Sequence, residues 1–515
     1  MSQNKDFKRE NRLRLFGHED AEKEDDNRLE SYFYKTQQYE DTISNIPFLI
    51  ITGEKGTGKS AILKMAYFEE KEAGFVPIWI RQDDLVELYE GTTEDKPVSI
   101  LKVLWKKAVA RLVAMKLAAT CNVVVGDEFE IATKWAYEHG YATKDFISNV
   151  VEKLKPGWEK YINNEKMNQD SIGEHHILEK LFKGNKVILF LDDFDLDWKG
   201  NQKDVALMKS LILALRDMTS DITRLYVRIA IRTDVYEMIR TQEFSDKIAS
   251  SVIECKWNNQ EIMKTLAKRI CTYYGMDFCV DENEKMQYQL VKYLDKVFVH
   301  SFSESTKVWK NAPTHRVIYS LIRRKPRDMV KLCHGVAEIA DKYQKDIIDE
   351  KCILDYLDSY SRERLQDLVN EYNNQISNLR DLLIRMAPTS NEVKMKKKER
   401  YVYLTDKLLE KIKNIQSNIN IKIYSPDSYK KVKATPYEIA HFLYRIGFIT
   451  GRKENGATGK IQRKFYDEMP DLLEKHVGDR GYAWEIHPAY RAAIADGSDD
   501  VWKNTIDFAD LDENS

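Results

Sequence analysis

Pro47-Phe48-Leu49-Ile50-Ile51-Thr52-Gly53-Glu54-Lys55-Gly56-Thr57-Gly58-Lys59-Ser60-Ala61-Ile62-Leu63-Lys64 is the stretch that decides the fold class. Phe48 to Ile51 is an apolar run suited to a buried parallel strand, and the pattern from Ser60 onward is helical. Between them Gly53, Gly58, Lys59 and Ser60 keep the G-x-x-x-x-G-K-[ST] spacing of a P-loop. Glycines let backbone N–H groups close around phosphate oxygens where a side chain would collide. The positive end of the following helix adds to that cradle. Glu54, Lys55, Gly56, Thr57 and Ala61 complete the loop around the phosphates. Lys59 is placed to reach the β- and γ-phosphates of ATP, and the Ser60 hydroxyl to hold Mg2+. The bland alternative is a chance Gly/Lys loop, and the strand before it and helix after it count against that.

Composition narrows the class. At 515 residues the chain has room for roughly two to four domains. Hydrophobic content of 43% and charged content of 32% describe a soluble, helix-rich globular protein. No apolar run reaches the length of a membrane span, and residues 1–14 are too polar for a signal peptide, so a cytoplasmic protein with no membrane partner is expected. The six cysteines are scattered and form no C-x-x-C pair, which indicates neither a zinc site nor a disulfide framework. A net charge of −2 gives no global footprint for nucleic acid, so DNA contact requires a local basic patch.

Working outward from the loop, Phe75 to Ile80 reads as a second strand, and residues 98–119 as a strong helix. A helical insertion spans about 122–183; its Glu174-His175-His176 reads as a surface turn rather than a metal site. Lys186 to Asp193, K-V-I-L-F-L-D-D, is a continuous apolar strand ending in two carboxylates, a Walker B pattern. Asp192 is the expected Mg2+ partner, and Asp193 the group that orients or deprotonates the attacking water. The fourth strand, Leu225 to Ile231, ends in Arg232-Thr233-Asp234. Arg232 is placed to sense the γ-phosphate, while Thr233 or Asp234 is placed to cap the next helix. Both roles are compatible. Ser251 to Cys255 is the fifth strand, followed by Trp257. The expected architecture is a three-layer α/β core with sheet order 5-1-4-3-2.

Four segments are expected: an N-terminal tail and helix at 1–45, the core at 46–257, a helical lid at 258–390 and a winged-helix-like module at 391–515. In the lid, Pro326 suits the first turn of a helix and would aim Arg327 at the nucleotide, although a solvated arginine there is an equal reading. In the last segment, residues 451–460 form the expected wing, and Tyr482 to Pro488 completes its hairpin. Residues 391–470 carry 18 basic against 9 acidic side chains, and include the basic stretch Lys394 to Arg400. They could meet a phosphate backbone or be a solvated rim.

These residues carry a resemblance. Phe16-Gly17 with Ala21-Glu22, the loop at 53–60, F-L-D-D-F-D-L-D-W at 190–198 and I-A-I-R-T-D-V-Y at 229–236 form its first part. Trp257, Lys268-Arg269, K-P-R-D-M-V at 325–330 and W-E-I-H-P-A-Y-R at 484–491 complete it. Together they resemble a family of bacterial P-loop ATPases of the STAND/AAA+ (Orc/Cdc6-like) type, often found in phage-defence or mobile gene clusters. The resemblance implies an ATP-dependent switch that oligomerises and acts on an effector protein encoded nearby. It implies adenine held by the main chain of Phe16 and Gly17, and a sensor-like role for Arg327. His18 stands where related ATPases commonly carry Arg, and Asp193 where they carry Glu, which implies slow hydrolysis. Arg216, Arg224 and Arg240 are open as arginine fingers. The rival expectation is a DNA-associated ATPase that places its C-terminal winged helix on the duplex; a small-molecule kinase is a weaker third.

Overall fold

The computed structural model describes residues 6–86, 96–120, 185–195, 198–240, 246–280, 286–305, 309–393, 400–425, 430–455, 461–474 and 478–495, with single positions 132, 135, 136, 178, 182, 428, 503 and 506. The expected insertion, apart from five of those positions, lies outside the described residues, as do residues 394–399 of the basic stretch and the tip of the expected wing.

Residues 37–54 and 59–255 form one compact unit. Its sheet has five parallel strands: β1 (Phe48–Gly53), β2 (Val76–Arg81), β3 (Val187–Asp192), β4 (Leu225–Arg232) and β5 (Val252–Glu254). They lie in the order β2-β3-β4-β1-β5, the expected sequence read from the opposite edge. Every residue of β1 and β3 is buried, as near-continuous apolar strands in a covered parallel sheet require. Register pairs Gly53 with Arg232 and Arg81 with Asp192, so β1, β3 and β4 end at one edge. Arg228 in β4 is 1% exposed and fixes the approach to β1. It donates to the carbonyls of Thr42 at 2.5 Å, Ser44 at 2.7 Å and Ile46 at 2.8 Å. Burial pulls its pKa down to about 10 against the nearby Glu70.

Residues 1–36, 55–58 and 256–515 form the second compact unit. The helix Asn259–Tyr274 opens on a reciprocal cap, with Asn258 accepting from the Glu261 amide at 2.8 Å and Glu261 from the Asn258 amide at 2.9 Å. The helices Pro326–Lys342 and Glu350–Tyr372 approach closely at Gly335, where a Cβ would lie 1.9 Å from the Tyr356 ring. Pro326 occupies the first helical turn, as expected.

Further along are β6 (Val402–Tyr403), the hairpin β7 (Lys422–Ser425) and β8 (Lys430–Lys433), and then β9 (Ile449–Glu454), β10 (Ile461–Lys464) and β11 (Ala483–Ile486). The four-strand sheet runs β10-β9-β11-β6, with helices Thr405–Gln416 and Pro436–Arg445 preceding β9. One expectation changes here. The hairpin partner of β9 is β10, and Tyr482 to Pro488 supplies β11 on the other side of β9. The Ile461–Lys464 strand is nearly all polar, and its Arg463 turns to Glu485 of β11 at 2.9 Å, which local apolar patterning does not reveal.

Buried charge concentrates in this unit. Asp328 is 1% exposed; Arg323 meets it at 2.6 and 2.9 Å, and Arg364 at 2.8 Å. Burial pushes this carboxyl up, but Arg323 and then Arg364 more than offset it and hold it well below the usual carboxylate range. Glu485 follows the same logic, with Arg463 and Arg491 holding it down to about 2 despite burial. Close by, the His487 ring accepts from the Ala489 amide at 3.2 Å. Burial, with Arg323 adding, pulls its pKa down to about 3. An unfolded histidine takes up a proton near pH 6.5, and the folded ring refuses it down to about 3. Stability is therefore lost as the pH falls through that window, by up to about 1.4 kcal/mol per unit. In urea unfolding, His487→Asn, which keeps a cap acceptor, is expected to flatten the decline in midpoint between pH 7 and 5. A variant whose decline matches the parent's would exclude His487 as its cause.

Candidate functional site

In the first unit the helix Lys59–Glu72 starts directly from the glycine turn. The Lys59 ammonium donates to the carbonyls of Gly53 at 2.8 Å and Glu54 at 3.1 Å, which folds it over the end of β1. At the end of β3, Asp192 is 4% exposed. One of its oxygens accepts from the Asp193 amide at 3.1 Å, whereas Oδ2 is buried with no hydrogen-bond partner. Burial and the neighbouring Asp193 charge push its pKa up to about 6, against Ser60 and Lys59. Asp193 itself has φ +59°, a left-handed conformation that aspartate tolerates better than most residues.

The end of β4 is tied to the segment after β3 by Asp195, a residue with no role expected from its motif. Asp195 accepts from the Arg232 amide at 2.7 Å; burial raises its pKa, with Lys59 opposing. The Arg232 guanidinium is held by its own neighbour Asp234, at 2.9 and 2.6 Å. The capping expectation is corrected here. Arg232 is the N-cap of Thr233–Ile239 and makes no side-chain cap bond, since a guanidinium has no acceptor, and the Asp234 carboxylate is engaged with that guanidinium. Of the three open arginines, Arg224 and Arg240 are exposed and Arg216 is half-buried beside Asp217 at 2.9 Å.

In the second unit the crown of the loop, residues 55–58, is clasped by side chains distant in sequence. Trp257 donates to the Thr57 carbonyl at 2.6 Å, and the Arg327 amide to the Gly56 carbonyl at 3.3 Å. The Lys55 amide donates to the Glu371 carboxylate at 3.3 Å. Gly56 has φ +86°, and a Cβ there would lie 3.0 Å from the Arg327 Cβ, so only glycine fits. The Arg327 guanidinium reaches Asp20 at 2.6 Å. Phe16 and Gly17 are buried, and their main chain is engaged within the protein. Arg269 donates to the Phe16 carbonyl and the His334 ring lies 2.8 Å from the Gly17 carbonyl. The Gly17 amide donates to Leu13 at 3.0 Å, and the His18 amide to Glu24.

These residues fit a phosphate chain with its divalent cation. In the second unit Gly56 and Gly58, at φ +86° and +94°, open the backbone of the loop crown, and in the first unit Lys59 supplies a cation at the start of its helix. The partnerless buried Oδ2 of Asp192 and the Ser60 hydroxyl are the hard oxygen donors that Mg2+ takes. Sequence reasoning singled out these groups and gave Asp234 a capping role alone, but missed Asp20, Asp195, His334 and Glu371. Asp234 and Asp195 stand in quoted motifs; nothing local marks Glu371 or His334.

No protein-family model matches the chain. It is similar to an Escherichia coli (strain K12) protein named as a transposon gamma-delta 80.3 kDa protein, at 20% identity over 505 residues. The match covers 92% of this chain and 66% of that protein's length. Among solved structures it is similar to the Aeropyrum pernix ORC2 protein in ADPNP–ADP complexes, with TM-score 0.39, 10% identity, and 93% and 97% of the two chains covered. It is also similar to Cdc6p from Pyrobaculum aerophilum, with TM-score 0.31, 11% identity, and 91% and 97% covered. The parallel sheet, its strand order and the strand–loop–helix at its edge fix the architecture of the first unit. Its core is a P-loop NTPase fold. No helix among the described residues is long and apolar enough to cross a membrane.

Proposed function

We propose that the chain is an ATP-binding, Mg2+-dependent molecular switch of the STAND/AAA+ kind that hydrolyses ATP slowly. It changes its assembly state with the nucleotide bound and passes its output to an effector protein encoded nearby, with phage defence as the setting. The observation that carries this reading is the common edge of β1, β3 and β4, where the phosphate loop, Asp192 and Arg232 end together. Bound Mg2+ would neutralise charge on the phosphates, with Ser60 and Asp192 holding it. Lys59 binds phosphate oxygens, and Asp193 orients the attacking water or takes its proton. Arg232, paired with Asp234 and anchored by its amide to Asp195, stands at the strand end, where a γ-phosphate would compete with Asp234 for the guanidinium. Arg327, whose side-chain stem lies against Gly56, is the proposed sensor, and its guanidinium would exchange Asp20 for the phosphates. The main chain at Phe16 and Gly17 is the proposed adenine neighbour, and an adenine bonded there replaces one of the internal bonds described above.

The test is the solution mass of Asp193→Asn, which blocks turnover, without nucleotide, with ADP and with ATP–Mg2+. A larger assembly with ATP–Mg2+ than with ADP is expected. A mass that stays constant across all three sinks the assembly switch.

A second reading is a DNA-associated ATPase that uses the segment after residue 400. Its supports are the winged-helix-like succession of two helices and a small antiparallel sheet, the excess of 18 basic over 9 acidic residues in 391–470, and the transposon product among its relatives.

A further inference from the structure

The β7–β8 hairpin carries lysines in an arrangement that costs stability. Register places Lys422 directly opposite Lys433, Ile423 opposite Val432, Tyr424 opposite Lys431 and Ser425 opposite Lys430. Because side chains alternate across a strand, Lys422, Lys433, Lys431 and Tyr424 share one face. Lys430 and Val432 belong to the other. All four lysines are exposed. Among the described residues Lys422, Lys430 and Lys433 meet no carboxylate, and Lys431 donates only to a neutral carbonyl, that of Asn373 at 2.9 Å. A single lysine is enough to guard an open edge against pairing with another chain. Two placed directly opposite each other repel and destabilise the ladder, which guarding does not require.

The surroundings define what such a face accepts. On its far side β7 is covered by Gln375–Ser377, through the Tyr424 amide to Gln375 at 2.7 Å and the Ser377 amide to Lys422 at 2.9 Å. Among the described residues no strand pairs with the outer edge of β8, which leaves its amides beside three lysines. Cations with open N–H donors on a rigid support suit phosphate oxygens. A lipid surface would want apolar side chains on the charged face, but the exposed Val432 lies on the other.

We infer that the Lys422–Lys431–Lys433 face of this hairpin binds the phosphate backbone of duplex DNA. This deepens the second reading above and rests on it. Each lysine neutralised on a phosphate contributes about 0.9 to the slope of log affinity against log salt.

The experiment uses the full chain and a 5′-labelled duplex of about 30 base pairs, a length chosen to exceed the footprint of a single module, titrated from low to moderate salt. Lys422→Gln/Lys433→Gln is expected to lower the slope by about 1.8, so that a fourfold rise in salt separates parent and variant by about twelvefold. Lys430→Gln, on the other face, is expected to leave the slope unchanged. The double variant is also expected to unfold at the same or a higher temperature, since it relieves the opposed pair. A duplex bound with an unchanged slope in the double variant overturns this assignment and leaves the second reading to the lysines of 394–400 and 451–460. An equal drop with Lys430→Gln reduces it to a general charge effect and overturns it too. No duplex binding at low salt removes both. Capture of an acidic peptide with no DNA binding assigns the face to a protein instead.

Discussion

Lys59→Ala is expected to weaken ATP binding by at least about 100-fold while leaving the fold intact. A lysine ammonium on phosphate makes charge-assisted hydrogen bonds worth about 1.5–3 kcal/mol each. Losing even two of them costs more than the roughly 2.7 kcal/mol that corresponds to that factor. The structural loss is small by comparison, since among the described residues the side chain's hydrogen bonds go to the carbonyls of Gly53 and Glu54 in its own loop. Calorimetric titration with ATP–Mg2+ measures the first effect, and urea unfolding without nucleotide the second. Affinity equal to the parent's would remove the nucleotide from the account of this loop. A variant that binds poorly because it is unfolded is recognised by the second measurement.

Asp328→Asn is expected to destabilise the second unit by about 3–5 kcal/mol, since it leaves two buried guanidinium groups without their shared carboxylate. Both Arg323 and Arg364 are nearly inaccessible, at 8% and 0% exposed, so water cannot replace the lost charge. Adding Arg364→Met to Asp328→Asn is expected to recover part of the loss by removing one buried cation, left with Asp367 at 3.0 Å as its near carboxylate. A double variant no more stable than the single would show that Arg364 is satisfied without Asp328. Because Asp328 follows Arg327 in the first turn of its helix, the single variant is also expected to weaken ATP binding.

The parts of the molecule legible in the sequence are those encoded locally. β1 and β3 announce themselves as near-continuous apolar runs because a parallel strand covered on both faces needs apolar residues, and β4 does so despite the buried Arg228 in its middle. Pro326 marks its helix start because proline suits a turn with unsatisfied amides. The β7–β8 hairpin escaped notice because K-K-V-K carries one apolar residue in four and reads as a solvated loop. The cap after β4 was misread because Thr233 and Asp234 suit an N-cap by residue type, whereas the bidentate bond to Arg232 takes Asp234 elsewhere. Glu371 lies 316 residues from the amide it accepts from, and no periodicity connects the two.

That last contact has a thermodynamic consequence. The Lys55 amide belongs to the loop's ring of donors, yet its acceptor is a carboxylate near the end of the helix Glu350–Tyr372. Any anion that claims this amide competes with Glu371, and Glu371 competes equally with the anion. Linkage makes the effect mutual: whatever draws that helix end away raises the loop's appetite for anions by the same factor that a bound anion loosens the helix. The loop and that helix end are thus two ends of one balance, to which the bond between the Lys55 amide and Glu371 contributes.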